Sequence, residues 1–140
     1  MSRIMVVDDE EDILFVIRKM LEKEGFEVIT VESGEEALEK LNKLKPDMIL
    51  LDVMMPGLDG WETCAKIKSE KEIKDIPVVM LTAKTGDEDK IKALDECRAE
   101  WHISKPIDRV KFIDTVKWLL ESPPKNSERN DMSGANRSDV

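Results

Sequence analysis

One stretch of the sequence restricts the fold more than any other, because four successive apolar residues end in a single carboxylate. Residues 48–51 show no alternation of polar and apolar side chains, which is typical of a strand covered on both faces. Asp52 comes next, and Pro56-Gly57 and Asp59-Gly60 then predict turns that end the strand. A lone Asp can simply begin a turn. Ligands of parallel sheets, however, bind beyond the carboxyl ends of the strands, so Asp52 is also placed for chemistry.

Strand and helix patterns alternate five times along the chain. This alternation predicts an α/β fold of the flavodoxin-like, doubly wound (βα)5 type, a parallel sheet with helices on both faces. Ser33 with Glu36 and Asp59 with Glu62 have the spacing of capping boxes and predict the starts of two helices. A further helix is predicted over residues 87–97. The predicted strands cover residues 3–7, 27–31, 48–51, 78–81 and 101–104.

The predicted domain organisation is one folded unit followed by a polar tail. A chain of 140 residues suits a single domain with its own core. We place the folded domain at residues 1–121. Residues 122–140 begin with Pro123-Pro124 and contain few apolar side chains, so we expect a disordered tail.

Charge and cysteine content exclude several classes of function. The 31 acidic and 22 basic residues give a net charge of −9, which argues against direct binding of nucleic acid or of an anionic membrane. The N-terminal apolar run is too short for a signal peptide or a spanning helix. Cys64 and Cys97 lack CxxC spacing, so we expect two reduced thiols in a cytoplasmic protein, with a regulatory disulfide as the alternative.

Three carboxylates are predicted to meet at one edge of the sheet. Asp8 and Asp9 follow the first strand, and Asp52 ends the third. Such a cluster is strongly self-repelling unless a cation lies within it. Oxygen ligands without histidine or cysteine favour Mg²⁺, which also prefers to share a phosphate.

Two further residues at strand ends suit a phosphoryl group. Thr82 ends the fourth predicted strand, and Lys105 follows the fifth. A lysine binds phosphate as a point charge, and a threonine hydroxyl can donate to a phosphoryl oxygen. Asp52 would then be the nucleophile that carries the group. Taken singly, Thr82 could be an ordinary strand end and Lys105 an exposed lysine.

The order and spacing of these motifs resemble those of a receiver domain of two-component response regulators, close to single-domain chemotaxis regulators. The resemblance rests on four motifs in register, which are Asp8-Asp9, Asp52 with residues 54–60, Thr82-Ala83 and Lys105-Pro106. It implies a five-stranded sheet in the order 2-1-3-4-5.

The resemblance also implies a role for each residue. Asp52 would be the phosphoacceptor, Asp9 a direct Mg²⁺ ligand, Asp8 a ligand through water, and the backbone carbonyl of Met54 a further ligand. Thr82 and Lys105 would hold the phosphoryl group and report its presence.

Two positions depart from the family pattern. His102 stands where receivers usually have Tyr or Phe. His102 and Thr82 are therefore the two candidate switch residues, which would change position on phosphorylation. Arg98 stands where a Gly commonly ends the fourth helix, and we expect that turn to be longer or differently closed. Trp101 and Trp118, together with His102, suggest a surface for a partner protein.

The favoured function is a stand-alone response regulator, not an enzyme, that dephosphorylates itself slowly. It would take a phosphoryl group from a sensor histidine kinase or a phosphotransfer protein and change its affinity for an unidentified downstream protein. We expect a monomer or a weak dimer. A phosphorelay intermediate, a phosphatase and a phosphorylation-independent scaffold are the alternatives. The phosphatase is disfavoured because Met54 replaces the second acid that such enzymes carry two residues after the nucleophile.

Overall fold

The computed structural model describes residues 2–82 and 97–121, and these form a twisted parallel sheet flanked by helices. The strands lie in the order β2-β1-β3-β4-β5, which confirms both the predicted fold class and the predicted strand order. The strands are β1 (Arg3–Val7), β2 (Glu27–Val31), β3 (Met48–Asp52), β4 (Val78–Thr82) and β5 (Trp101–Ser104). The described helices are α1 (Glu11–Lys23), α2 (Gly34–Leu44), α3 (Gly60–Ser69) and, as we label it, α4 (Arg109–Glu121).

Two predictions fall largely outside the described residues. These are the helix over residues 87–97, of which only Cys97 is described, and the polar tail of residues 122–140. Cys97 itself lies in a bend rather than in a helix. Within the described ranges, no helix combines the length and the apolar character needed to cross a membrane.

The sheet separates two apolar layers, because side chains of successive strand residues point to opposite faces. One layer packs α2 and α3 against the sheet through residues such as Ala37, Leu41 and Ile67. The other layer packs α1 and α4 through residues such as Leu14 and Phe112. Strands β3 and β4 are buried along their whole length, as the unbroken apolar runs predicted.

Side-chain caps start three of the helices, and one differs from its prediction. Asp59 and Glu62 form the complete capping box at α3, and the Asp108 carboxylate accepts hydrogen bonds from the first turn of α4. At α2 the box is only half formed. Ser33 accepts from the Glu36 amide at 3.1 Å, but the Glu36 carboxylate accepts from the Glu32 amide at 3.0 Å instead of from Ser33.

The two tryptophans, which suggested a partner surface, pack against each other. Trp101 is only 8% exposed. Its ring meets Trp118 edge to face with 5.0 Å between centroids, so the pair joins β5 to α4. Trp101 is therefore too buried to contribute to the predicted partner surface, whereas Trp118 and His102 are half-buried.

The turn before β5 contains a strained residue. Arg98 adopts φ +59°, so it enters the left-handed region itself rather than giving way to a different turn. This conformation is sterically unfavourable for a residue with a Cβ atom, whereas glycine adopts it without strain.

Arg98→Gly should therefore stabilise the protein by about 0.5–1 kcal/mol, because it relieves the left-handed strain at a modest cost in unfolded-chain entropy. Denaturant melts of the variant and the wild type measure the difference. Lys66→Gly, at an exposed helical position in α3, is the matched control and should lose about 1 kcal/mol. Equal losses of unfolding free energy in Arg98→Gly and Lys66→Gly would show that Arg98 is not strained.

Candidate functional site

The site lies at the carboxyl edge of the sheet, where parallel strands bring their last residues together. Asp8 follows β1, Asp52 ends β3, and Thr82 ends β4. Carboxylate oxygens of Asp8, Asp9 and Asp52 all lie within 4.8 Å of one another. Asp8 is fully buried and Asp52 is 3% exposed, whereas Asp9 is exposed. The cluster predicted from the sequence therefore forms, with one carboxylate open to solvent.

The backbone after Asp52 turns sharply and is held in place by a glycine. The Gly60 amide donates to the Val53 carbonyl at 3.0 Å, which closes the segment between them. A Cβ at Gly60 would collide with the Asp52 carbonyl oxygen and lie 2.7 Å from the Val53 Cα. Only glycine permits this close approach, and it places the start of α3 beside the acidic cluster.

Lys105 reaches into the cluster from the segment after β5. Its Nζ atom lies 2.8 Å from Asp52 Oδ1 and 3.5 Å from Asp8 Oδ2. Its backbone amide donates to the Thr82 carbonyl at 2.7 Å, which ties this segment to the end of β4. One ammonium against three carboxylates leaves two formal negative charges, which a divalent cation could balance.

Burial outweighs the ion pair in setting the pKa of Asp52, whereas the ion pair outweighs burial at Lys105. Burial raises the pKa of Asp52, and the Asp8 charge adds to the increase, while the hydrogen bond from Lys105 opposes it. Burial alone would lower the pKa of Lys105, but the contacts with Asp52 and Asp8 raise it. Lys105 therefore stays protonated, and it only partly compensates the cost of ionising Asp52.

Thr82 has a buried hydroxyl with no hydrogen-bond partner within the described ranges. The side chain is 1% exposed, and its Oγ1 atom contacts no donor or acceptor there. A buried polar atom without a partner is costly, so the Thr82 hydroxyl is a candidate donor to a group bound at this site. Thr82 stands one position beyond Leu81, the β4 residue paired with Asp52, and a hydroxyl there could donate to an oxyanion carried on β3.

The remaining predicted site residues are Met54 and His102. The Met54 side chain is 73% exposed in the segment after β3. His102 is half-buried in β5, paired with Met80. Sequence reasoning missed Glu35, whose carboxylate accepts from the Leu58 amide at 3.4 Å. A contact between residues 23 positions apart leaves no periodic or spacing signal.

Asp52→Asn should stabilise the metal-free protein at neutral pH, because the folded state favours the neutral carboxyl at this buried position. A raised pKa in the folded state gives stability that is fully present below the ordinary carboxyl pKa and is lost as pH rises through the raised value. Asparagine has nearly the shape of the Asp52 side chain but no charge, so the free energy of unfolding should rise by about 1 kcal/mol at neutral pH.

Denaturant melts in the presence of a chelator measure this gain in stability at two pH values, one neutral and one below the ordinary carboxyl pKa. The variant and the wild type should converge at the lower pH. A variant less stable than the wild type at neutral pH would show that the ion pair with Lys105 outweighs the effect of burial.

Comparisons with known proteins agree with the geometry. Residues 4–117 match the model of the response regulator receiver domain. The chain is 41% identical to the alkaline phosphatase synthesis transcriptional regulatory protein PhoP of Bacillus subtilis over 134 residues, 93% of this chain and 55% of PhoP. The chain thus spans about half the length of that relative.

Solved structures show the same fold. The signal receiver domain of a signal transduction histidine kinase from Syntrophus aciditrophicus has a TM-score of 0.81 at 32% identity, covering 88% of this chain and 92% of that one. The receiver domain of sensor histidine kinase PA1611 from Pseudomonas aeruginosa, with a magnesium ion coordinated in its active site cleft, has a TM-score of 0.78 at 26% identity, covering 86% and 98%. The chain therefore belongs to the response regulator receiver domain family, the phosphoacceptors of two-component signalling.

Proposed function

We propose that Asp52 accepts the phosphoryl group in this receiver, with Mg²⁺ held by the acidic cluster, and that the modification changes the affinity for a partner protein. One observation carries the proposal. The buried Asp52 carboxylate has the Lys105 ammonium at 2.8 Å. On the neighbouring strand end lies the Thr82 hydroxyl, which makes no hydrogen bond to any described residue. Nucleophile, counter-charge and hydrogen-bond donor thus stand at one edge of the sheet.

The donor set supports magnesium. Receiver domains generally bind Mg²⁺ in an acidic pocket, and the carboxylates of Asp8, Asp9 and Asp52 provide hard oxygen ligands in such a pocket. We assign Asp9 and Asp52 as direct ligands, Asp8 as a ligand through water, and the Met54 carbonyl as a further ligand. When bound, the ion neutralises charge on phosphoryl oxygens.

The side chains divide the transfer between them. An Asp52 carboxylate oxygen forms a bond to phosphorus while the phosphorus–nitrogen bond of the phosphohistidine donor breaks, and the imidazole leaves with the electron pair. Lys105, held protonated by its carboxylate partners, moves from neutralising Asp52 to neutralising the phosphoryl group. The Thr82 hydroxyl, which has no hydrogen-bond partner among the described residues, donates to a phosphoryl oxygen.

The donor is a sensor histidine kinase or a histidine phosphotransfer protein, the partners with which receivers interact. Two structural neighbours are receiver domains of histidine kinases, which supports a phosphorelay intermediate as the second candidate. A scaffold without phosphorylation is disfavoured, because Asp8, Asp9, Asp52, Thr82 and Lys105 are all present. We further propose slow self-dephosphorylation without turnover of external substrates, since Met54 supplies no second acid. The stand-alone organisation, the monomer or weak dimer and the cytoplasmic location stay predictions.

Magnesium should stabilise the wild-type protein, because it relieves repulsion within the acidic cluster. At ten times the dissociation constant the gain should be about 1.4 kcal/mol, and Asp9→Ala should lose most of it. Thermal melts with and without magnesium measure both values. Glu39→Ala, which removes an exposed acid from α2, is the control and should respond like the wild type. A wild-type midpoint that millimolar magnesium leaves unchanged would refute the metal site.

Lys105→Met should allow folding but uncouple phosphorylation from the conformational change, because no ammonium then compensates the phosphoryl charge. Amide exchange or NMR shifts of the phosphorylated and unphosphorylated protein reveal the change. Lys66→Met, at an exposed position of α3, should respond like the wild type. A Lys105→Met protein with the full wild-type response would remove Lys105 from the switch.

His102 is proposed as the switch residue that turns inward when Thr82 engages the phosphoryl group. Burial disfavours the imidazolium form, so the ring should titrate at a lower pH in the phosphorylated state, and low pH should favour the outward ring. His102 is the single histidine of the sequence, so its NMR signals need no assignment. Identical titrations in the two states would show that the surroundings of the ring do not change, and would remove His102 from the switch.

A further inference from the structure

The first turn of α2 packs directly on the segment that follows Asp52. The Glu35 carboxylate accepts from the Leu58 amide at 3.4 Å. A Cβ at Gly57 would lie 3.2 Å from Glu35 Oε2, so the carboxylate covers the Gly57–Leu58 backbone. Gly57 has φ +73°, a conformation that suits glycine and leaves this face of the turn open to the carboxylate.

The helix backbone adds a second contact to the same segment. A Cβ at Gly34 would collide with Thr63 Oγ1 and approach the Leu58 carbonyl oxygen to 3.0 Å, so the helix start lies against both residues. Thr63 Oγ1 in turn donates to the Asp59 carbonyl at 2.7 Å. Together with the 3.0 Å hydrogen bond from Gly60 to Val53, these contacts hold the segment at its outer flank and at its two ends.

The side chain of Met54 is exposed and does not anchor the backbone of this segment. Met54 is 73% exposed, while its neighbours Val53 and Met55 are 7% and 8% exposed. The backbone at Met54 is therefore fixed by residues around it. Glu35 is the charged side chain of α2 that holds the segment, and it does so from a different element of the fold.

We propose that Glu35 is a positioning residue for the metal site, which fixes the segment between Val53 and Gly60 and thereby the carbonyl of Met54. The inference rests on the proposed function, since it takes that carbonyl as a magnesium ligand. Groups that orient metal ligands from outside the coordination sphere contribute to metal affinity through geometry. Glu35 acts as a hydrogen-bond acceptor, and its charge is secondary.

Magnesium titration of three variants separates the acceptor from the charge. Glu35→Ala removes both, and should weaken magnesium binding by about tenfold. Glu35→Gln keeps an acceptor without the charge and should stay within about twofold of the wild type. Glu32→Gln removes a charge from an exposed side chain that makes no hydrogen bond or ion pair in the described part of the chain, and should also stay close to the wild type.

Calorimetry gives the affinities, and NMR of the metal-free proteins gives an independent readout at the Gly57 and Leu58 amides. Those two signals should shift in Glu35→Ala and keep near wild-type positions in Glu35→Gln. Glu35→Ala with wild-type magnesium affinity would overturn the inference, and so would equal losses in Glu35→Gln and Glu35→Ala. Both results leave the proposed function intact, whereas a wild type that binds no magnesium would overturn the proposed metal site and the inference together.

Discussion

Crowding of three carboxylates around one lysine at the edge of a parallel sheet is the constraint on which the site depends. Carboxylate oxygens of Asp8, Asp9 and Asp52 lie within 4.8 Å of one another, and the Lys105 ammonium touches the two that are buried. Burial makes this charge costly, and the lysine offsets only part of the cost. The uncompensated negative charge supports the proposed binding of a divalent cation, and with it the proposed acceptance of a phosphoryl group.

The fold supplies the geometry that makes the crowding possible. Parallel strands end at one edge, so residues far apart in sequence become neighbours there. Lys105 comes 53 residues after Asp52 and still reaches it at 2.8 Å. The apolar layers on the two sheet faces keep β3 and β4 buried, and this burial gives Asp52 and Thr82 their unusual environments. Stability of the core and reactivity at its edge thus have a common origin.

Local sequence patterns predicted the elements that have strong local causes. The unbroken apolar run at residues 48–51 predicted a buried strand ending at Asp52, and the Asp59 capping box predicted the start of α3. Choices between competing hydrogen-bond partners and contacts across the fold were harder to predict from the sequence. The Glu36 carboxylate accepts from the Glu32 amide and not from that of Ser33. Trp101 packs against Trp118 because β5 lies next to α4. Neither the contact of Glu35 with Leu58 nor the division of charge around Lys105 could be read from spacing, since both require the assembled sheet.

Phosphorylation of Asp52 is the central claim, and intact mass measurement after incubation with a small phosphodonor and magnesium tests it most directly. The wild-type protein should gain the mass of one phosphoryl group, and Asp52→Asn, which keeps the fold, should gain none. Omission of magnesium should abolish most of the gain. A folded wild-type protein that gains no phosphoryl mass, or an Asp52→Asn protein that gains as much as the wild type, would contradict the assignment of Asp52 as the phosphoacceptor.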